Sequence, residues 1–376
     1  MKTYRFVATA VTLLLASAAH AQSTVTLYGI IDAGFNYVSN LKSGNGAHAF
    51  TLSDGPPQAS RFGLKGAEDI GGGNKIVFTL ENGFSVANGN LGQGGRMFGR
   101  LAWIGMTGQN WGKVTLGRQY DPVVDYLYPL TSCGTYGGGY MCHPFDSDNI
   151  GNDARTNNSV KYTSPTLAGL TFGTMYGFSN QAGAFKQNRS FGIGASYSNG
   201  PLYLAAAAQQ FDNPGTNADG AISSNADAPF VANRQRIYGA GGTYTIGALK
   251  LALSWARTVL TGISSGPIIS SYLRLDNYEV NAMYAVTPTL NLSGGYYFTN
   301  GKQASPTGDL RPKWHEFNVM VDYFLSKRTD VFAMAIFQKA AGDATFASIY
   351  AIGPTATEAP GSAKQAVVRL GIRHKF

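Results

Sequence analysis

Val367-Val368-Arg369-Leu370-Gly371-Ile372-Arg373-His374-Lys375-Phe376 ends the chain. Val368, Leu370, Ile372, His374 and Phe376 take one set of alternate positions; Arg369, Gly371, Arg373 and Lys375 take the other. Successive side chains of a strand point to opposite faces, so a period of two marks a strand. One face here is apolar and the other cationic. In a soluble sandwich the apolar face would meet a second sheet. In a transmembrane barrel it meets lipid, and the charged face meets a wet lumen. The final aromatic residue is a feature a soluble domain has no reason to carry.

The same alternation runs through the rest of the chain. Val25, Leu27, Ile31, Ala33, Phe35 and Tyr37 alternate with Thr24, Thr26, Tyr28, Asp32 and Asn36. Leu249, Leu251, Leu253 and Trp255 alternate with Lys250, Ala252 and Ser254, and Phe317, Val319, Val321 and Tyr323 with Glu316, Asn318, Met320 and Asp322. Short turns fall at 68–75, 107–113, 165–168, 199–201, 246–248, 287–289 and 325–330. Long polar stretches fall at about 39–58, 84–95, 120–155, 179–188, 212–233, 258–272, 300–312 and 340–364. The pattern predicts sixteen strands. With an even number both chain ends lie on one side, so the first and last strands can pair and leave no open edge in lipid. The predicted fold is an all-β, 16-stranded antiparallel transmembrane barrel with short periplasmic turns and long extracellular loops. A barrel of that size leaves an aqueous channel.

Composition agrees. The chain has 48 glycines, 21 tyrosines and 21 phenylalanines, and only 13% of its 376 residues are charged. Glycine relieves crowding in curved strands, and amphipathic rings suit the membrane–water boundary. No apolar run approaches the ~18 residues of a helical span. Residues 1–21 read as a cleaved secretory signal: Lys2 and Arg5 precede an apolar run from Phe6 to Ala16, and Ala19-His20-Ala21 forms a small-x-small cleavage site. Residues 22–376 are then one domain, 27 Lys and Arg against 21 Asp and Glu, with a formal charge of +6. The basic residues are scattered, Lys327-Arg328 being the longest basic pair, so nucleic acid is not the expected partner. Cys133 and Cys142 would meet an oxidising periplasm, which favours a disulfide over a reduced or metal-binding pair. So small a ring is worth roughly 2–3 kcal/mol by chain entropy, enough to stiffen one loop.

Five segments, in order along the chain, resemble the Gram-negative general porins, beta-proteobacterial ones above all. They are Ser60-Arg61-Phe62-Gly63-Leu64-Lys65-Gly66-Ala67-Glu68-Asp69-Ile70-Gly71-Gly72-Gly73, Leu116-Gly117-Arg118-Gln119, Asn158-Ser159-Val160-Lys161-Tyr162-Thr163-Ser164-Pro165, Tyr323-Phe324-Leu325-Ser326-Lys327-Arg328-Thr329 and Gly371-Ile372-Arg373-His374-Lys375-Phe376. The resemblance implies a homotrimer of barrels in the outer membrane, each passing small hydrophilic solutes and ions by diffusion. It implies that Phe376 and its strand are read by the barrel-assembly machinery. It also implies that the third long loop folds inward and narrows the bore.

Residues 119–155 are the candidate constriction loop. They hold Asp121, Asp125, Asp146, Asp148 and Asp153, with no Lys or Arg between Arg118 and Arg155, and they carry both cysteines. The alternative is a long acidic loop on the surface. If the loop folds inward, its carboxylates need cations on the facing wall. Arg61 and Lys65 have lumenal parity, Arg155 and Lys161 share that of the sixth strand, and Arg100 opens the fourth at similar depth. Arg61, Lys65 and Arg118 match the family's basic wall. Arg118 shares the lipid-facing parity of Val114 and Leu116. Either a bulge at Gly117 turns it inward, or it snorkels along lipid. Acids facing bases across a gap would orient water, exclude apolar solutes and bias ions by sign.

An enzyme would need a base beside a nucleophile or a carboxylate pair. His48 and His143 lie in loops without a nucleophile motif, and His143 stands isolated in the sequence. No cofactor motif and no metal-ligand spacing is present, so neither group is expected. Tyr203 and Tyr297 have lumenal parity but form no aromatic track, which favours a general pore over a substrate-specific one. Outer-membrane lipid and lipopolysaccharide are the remaining expected partners.

Overall fold

The structure is a computed structural model. It describes residues 24–42, 47–224, 227–347, 349 and 360–376, and the predicted signal segment 1–21 lies outside them. Among the described residues the strands are β1 (Thr24–Val38), β2 (Ala49–Asp54), β3 (Arg61–Gly71), β4 (Asn74–Gly83), β5 (Leu101–Gly108), β6 (Gly112–Gln119), β7 (Thr156–Thr163), β8 (Leu170–Gly177) and β9 (Ser190–Asn199). They continue as β10 (Leu202–Asp212), β11 (Arg234–Ile246), β12 (Leu249–Ile263), β13 (Ser270–Thr287), β14 (Leu290–Gln303), β15 (Pro312–Phe324), β16 (Thr329–Gly342) and β17 (Lys364–Lys375). A short helix, α1 (Pro122–Leu127), lies between β6 and β7.

Each strand pairs antiparallel with its neighbour, and β17 pairs with β1 from Ile30↔Lys375 to Val38↔Val367. The sheet is closed. β2 and β3 both lie against β1, at Ala33–Val38 and Thr24–Ile30 respectively, so they are two segments of one stave and the barrel has sixteen. The break holds Pro56 and Pro57, which have no N–H to give a ladder. The stretch 39–58 is therefore not all loop, as its polarity suggested. Phe50 and Leu52 alternate with Thr51 and Ser53 within it, and they stand on the outside.

Parity decides the two faces. Phe35 (71% exposed), Leu253 (65%) and Leu370 (59%) point outward, whereas Asp32 and Arg369 are fully buried inside and form an ion pair of 3.0 Å. Each outward side chain would forgo roughly 1.5–3 kcal/mol if it faced water. A lipid-facing barrel removes that cost. At the seam the Phe376 carbonyl accepts from the Gly29 N–H (3.0 Å) and the Phe376 N–H donates to Gly29 O (3.1 Å). The Phe376 ring lies over Gly29, where a Cβ would come within 2.3 Å of its Cζ.

The connections alternate as expected: two to six residues on one side, and six or more on the other. One loop is shorter than its sequence suggested. The stretch 258–272 contracts to 264–269, because Leu260 and Ile263 turn inward and pack with Phe145, prolonging β12.

Candidate functional site

The segment between β6 and β7 runs inside the barrel. Asp121 caps α1, its carboxylate accepting from Val124 N (3.1 Å), and Pro122 occupies the first turn. The helix lies on β8–β11, where wall glycines make room for it. A Cβ at Gly194 would sit 2.2 Å from the Tyr126 ring, and one at Gly239 would sit 2.4 Å from Leu127 Cδ1. Downstream, Asn281 Nδ2 donates to Leu130 O (2.9 Å), and the Tyr136 hydroxyl donates to Asn318 Oδ1 (2.9 Å). Tyr136, Tyr140 and Met141 pack with Met320, Phe332 and Met334 of the far wall. At its tip Gly139 N–H donates to Pro56 O (2.7 Å), in the break between β2 and β3. A disulfide joins Cys133 to Cys142.

The returning arm is tied by a buried charge cluster. His143 Nδ1 lies 2.6 Å from Asp148 Oδ2, and Nε2 lies 3.1 Å from Glu279 Oε2 of β13. Asn277 Nδ2 also donates to Asp148 (2.7 Å), and Ser132 N–H donates to Glu279 Oε1 (2.6 Å). With Asp148 in hydrogen-bond contact at Nδ1 and Glu279 at ion-pair distance from Nε2, the two carboxylates hold the buried imidazole as the cation. Burial alone would lower its pKa, but Asp148 and Glu279 lift it from 6.5 to about 10. Asp148 is pulled the other way: burial raises it, and the imidazolium overcomes that to hold it below its ordinary value. Phe145 then sets its ring edge-on to Phe230 and Trp314. Ser147 O accepts from Gln235 Nε2 (2.8 Å) and Thr258 Oγ1 (3.0 Å).

What the loop leaves open is a cavity of about 850 Å³ whose lining includes Arg61, Arg100, Arg155, Tyr128, Asp54 and Asp153. Arg100 Nε pairs with Glu81 Oε1 at 2.7 Å, and its Nη2 donates to the Tyr120 hydroxyl (2.9 Å). Arg155 Nη2 donates to Asn152 Oδ1 (2.7 Å), and its guanidinium lies 5.7 Å from the Tyr120 ring centre. Burial and the neighbouring Arg100 and Arg118 charges lower its pKa to about 10, although Tyr120 and Asp153 oppose the shift. Among the described residues neither Arg61 nor Arg155 has a carboxylate at ion-pair distance. Asp153 is half-buried, and desolvation raises it to about 6 against the pull of Arg155.

The expected opposition of five acids and six bases is thus only partly assembled, and several expectations need correction. Asp121, Asp146 and Asp148 are fully buried and face no open space. Asp121 is spent on the helix cap and on Asn149 Nδ2, Asp148 on His143 and Asn277, and Asp146 on the Gly151 and Asp153 N–H groups (2.7 and 2.9 Å). Burial, with Asp148 and Asp153 nearby, pushes Asp146 well above its ordinary value. Asp125 pairs with Lys161 Nζ at 2.7 Å, and that ammonium also donates to Tyr120 O (2.8 Å). Lys65 stands over the Tyr28 ring at 5.3 Å and does not line the cavity.

Arg118 turns inward at a break in the β6–β7 register between Gly117 and Gln119. Gly117 has φ +132°, and a Cβ there would meet Ala102 O at 2.2 Å, so only glycine fits this bulge. The guanidinium nevertheless lies behind the lining. It grips Asp227 with two bonds (2.6 and 3.0 Å) and donates to Gly99 O (2.8 Å), while Arg96 pairs with the same carboxylate at 3.0 Å. The sequence reading missed Asp227, Glu81 and Glu279. Glu279 carried a signal: its lumenal parity put an acid inside with no cation on its own strand face.

Comparisons with known proteins agree with this geometry. A family model for Gram-negative porins matches residues 8–342. An outer membrane porin protein of Bordetella pertussis is 32% identical, the match covering 96% of each chain. Outer membrane porin protein 32 of Delftia acidovorans is 30% identical over 97% of each. A solved structure, the anion-selective porin from Comamonas acidovorans, superposes with a TM-score of 0.75 at 25% identity, covering 94% of this chain and 100% of that one.

Proposed function

The chain belongs to the Gram-negative porin family, an outer-membrane barrel with a passive aqueous channel, and from that premise we propose where the channel is narrow and what it prefers. The narrow point is the gap between the 119–155 loop and the wall carrying Arg61 and Arg100. Its preference is for small hydrophilic anions. One observation carries the reading: Arg61 and Arg155 face the cavity with no carboxylate at ion-pair distance, while three of the five loop acids are turned away from it. Fixed charge at a constriction biases permeation by sign. The relative from Comamonas acidovorans, whose title calls it anion-selective, supports the same sign.

The proposal extends to the assembly and its making. The unit is a homotrimer with one channel per barrel, exported by the 1–21 signal and delivered by the barrel-assembly machinery reading Phe376. The protein acts as a channel and not as an enzyme. The buried His143, a candidate base from composition alone, has both nitrogens committed to carboxylates.

Planar-bilayer recording tests these statements together. Under a tenfold salt gradient the reversal potential should report anion preference, and Arg61→Ala should move it toward cations. An unchanged potential in Arg61→Ala removes that residue from the selective gap. Three equal conductance steps per insertion report the trimer, and single steps refute it.

A further inference from the structure

We propose that Cys133 is a covalent capture site for a small anionic thiol, which opens the Cys133–Cys142 disulfide from the channel side while Arg61 and Arg155 hold its acid group. The site rests on the same cavity as the proposed anion preference. The two sulfurs are not equivalent there. Cys133, 4% exposed, lines the cavity together with Gly138 and Gly139 of the same hairpin, whereas Cys142 is 1% exposed and stands behind the lining. Access decides which sulfur of a disulfide a thiolate attacks. Attack from the lumen therefore falls on Cys133 Sγ, and Cys142 Sγ is the leaving group.

The cavity also holds an unmet donor. Arg155 is 5% exposed, and its Nε has no hydrogen-bond partner among the described residues. A buried donor left unpaired is costly, and an anion that reaches it relieves that cost. Tyr128 joins the two ends of the site. It packs on the disulfide, and its hydroxyl lies near enough to Arg61 and Arg100 to feel both charges. A single tyrosine thus spans from the sulfur to the guanidinium end of the cavity, a length that a small mercapto acid also spans. The volume, about 850 Å³, is that of a small-molecule site. An anion without a sulfur would satisfy the arginines and leave the disulfide intact.

The exchange needs no further oxidant or reductant. The incoming thiolate gives its electron pair to Cys133 Sγ and forms a mixed disulfide there. The Cys133–Cys142 bond breaks, and its electron pair leaves on Cys142 Sγ. That thiolate takes a proton from water, and as a thiol it can donate to Gly138 O, 3.4 Å away. Return of the Cys142 thiolate to Cys133 Sγ expels the captured thiolate and restores the ring, so the capture is reversible. While it lasts, the captured group fills part of the cavity. The hairpin whose Gly139 N–H donates to Pro56 O (2.7 Å) is then no longer cross-linked.

The test uses the purified full-length barrel, in micelles for chemistry and in planar bilayers for current. Mercaptoethanesulfonate, mercaptoethanol and cysteamine are the anionic, neutral and cationic probes, each rate being divided by that with a small-molecule disulfide. A cleft lined by one sign of charge concentrates its counter-ions, so the sulfonate should react about tenfold faster than the neutral thiol, and the amine slowest. Acid quenching, unfolding and alkylation should place the probe on Cys133 and the alkyl group on Cys142 by peptide mass. Arg61→Ala/Arg155→Ala should bring the three rates together. Single-channel conductance should fall with the sulfonate and recover on washing. If the ring re-closes before quenching, Cys142→Ser decides, because it keeps Cys133 as a free thiol. An anionic methanethiosulfonate should modify it about tenfold faster than a cationic one, relative to their rates with free cysteine. Closure of each variant is checked by heat-modifiable gel mobility. An adduct on Cys142, rates blind to charge, or no reaction in either wild type or Cys142→Ser overturns the proposal. The reversal potential of the untreated channel keeps the two readings apart. An anion-preferring channel that ignores thiols sinks the capture site alone, and charge-ordered thiol rates in a cation-preferring channel sink the selectivity alone.

Discussion

Replacing His143 with Gln should loosen the constriction loop while the barrel stays closed. The imidazolium is buried between Asp148 (2.6 Å) on the returning arm itself and Glu279 (3.1 Å), the contact that joins the arm to β13. At an effective dielectric of 20 a charge pair 4 Å apart is worth about 4 kcal/mol, and two such pairs are set against several kcal/mol for desolvating the cation. Removing the one cation leaves two buried carboxylates uncompensated, and breaking such a pair costs about 3–5 kcal/mol. That shifts the docked-to-undocked equilibrium of the arm by at least a hundredfold. The sign of the pH dependence follows from the same cluster. The docked arm raises His143 from 6.5 to about 10, so it holds the proton more tightly than the free arm does. The stabilisation is complete below pH 6.5 and disappears as pH rises through about 10. Single-channel recording should show steady wild-type conductance at pH 7 and flicker at alkaline pH. His143→Gln should flicker at pH 7 already. Quiet channels and unchanged thermal unfolding in His143→Gln would refute the reasoning.

Further outcomes follow from the same geometry. Asp153, raised to about 6, is protonated as pH falls through that value, so anion preference should strengthen between pH 7 and 5 and stay flat in Asp153→Asn; reversal potentials measure both. Gly194→Val would drive a side chain into the Tyr126 ring, costing about 1–3 kcal/mol by overpacking and seen as a lower unfolding temperature with altered near-ultraviolet dichroism. Cys133→Ser with Cys142→Ser should cost roughly 2–3 kcal/mol of loop stability and leave the strand signal in far-ultraviolet dichroism intact.

The barrel was legible because lipid enforces a period of two without relief. Arg369 and Leu370 are neighbours in sequence, yet one is fully buried and the other 59% exposed, as their parity requires. The bend at Arg118 was legible for a related reason: a charged residue on the lipid parity demands a bulge, and Gly117 is the residue that permits one. Parity has no hold on a loop. Nothing in the loop's composition distinguishes Asp148, which binds an imidazolium, from Asp125, which holds a wall lysine. His143 is only five residues from Asp148, but Asn277 and Lys161, the wall partners of the two acids, lie on β13 and β7, and only the folded path of the loop selects them. Asp227 was hidden similarly, since the arginines it joins lie 109 and 131 positions earlier in the chain.

This division of labour among the carboxylates has a consequence for the channel. A loop carrying five acids and no base appears, in sequence, to be the anionic side of the gap. Folding withdraws Asp121, Asp146 and Asp148 to build the loop itself, and Lys161 neutralises Asp125. Asp153 is then the loop acid left on the cavity, and burial raises its pKa to about 6. Across the gap Glu81 pairs with Arg100 and Asp54 also lines the opening, while Arg61 of the wall and Arg155 at the end of the loop face it without a carboxylate at ion-pair distance among the described residues. Total charge and loop composition therefore predict opposite signs for the gap, and the accounting of buried partners supports the anion preference proposed above.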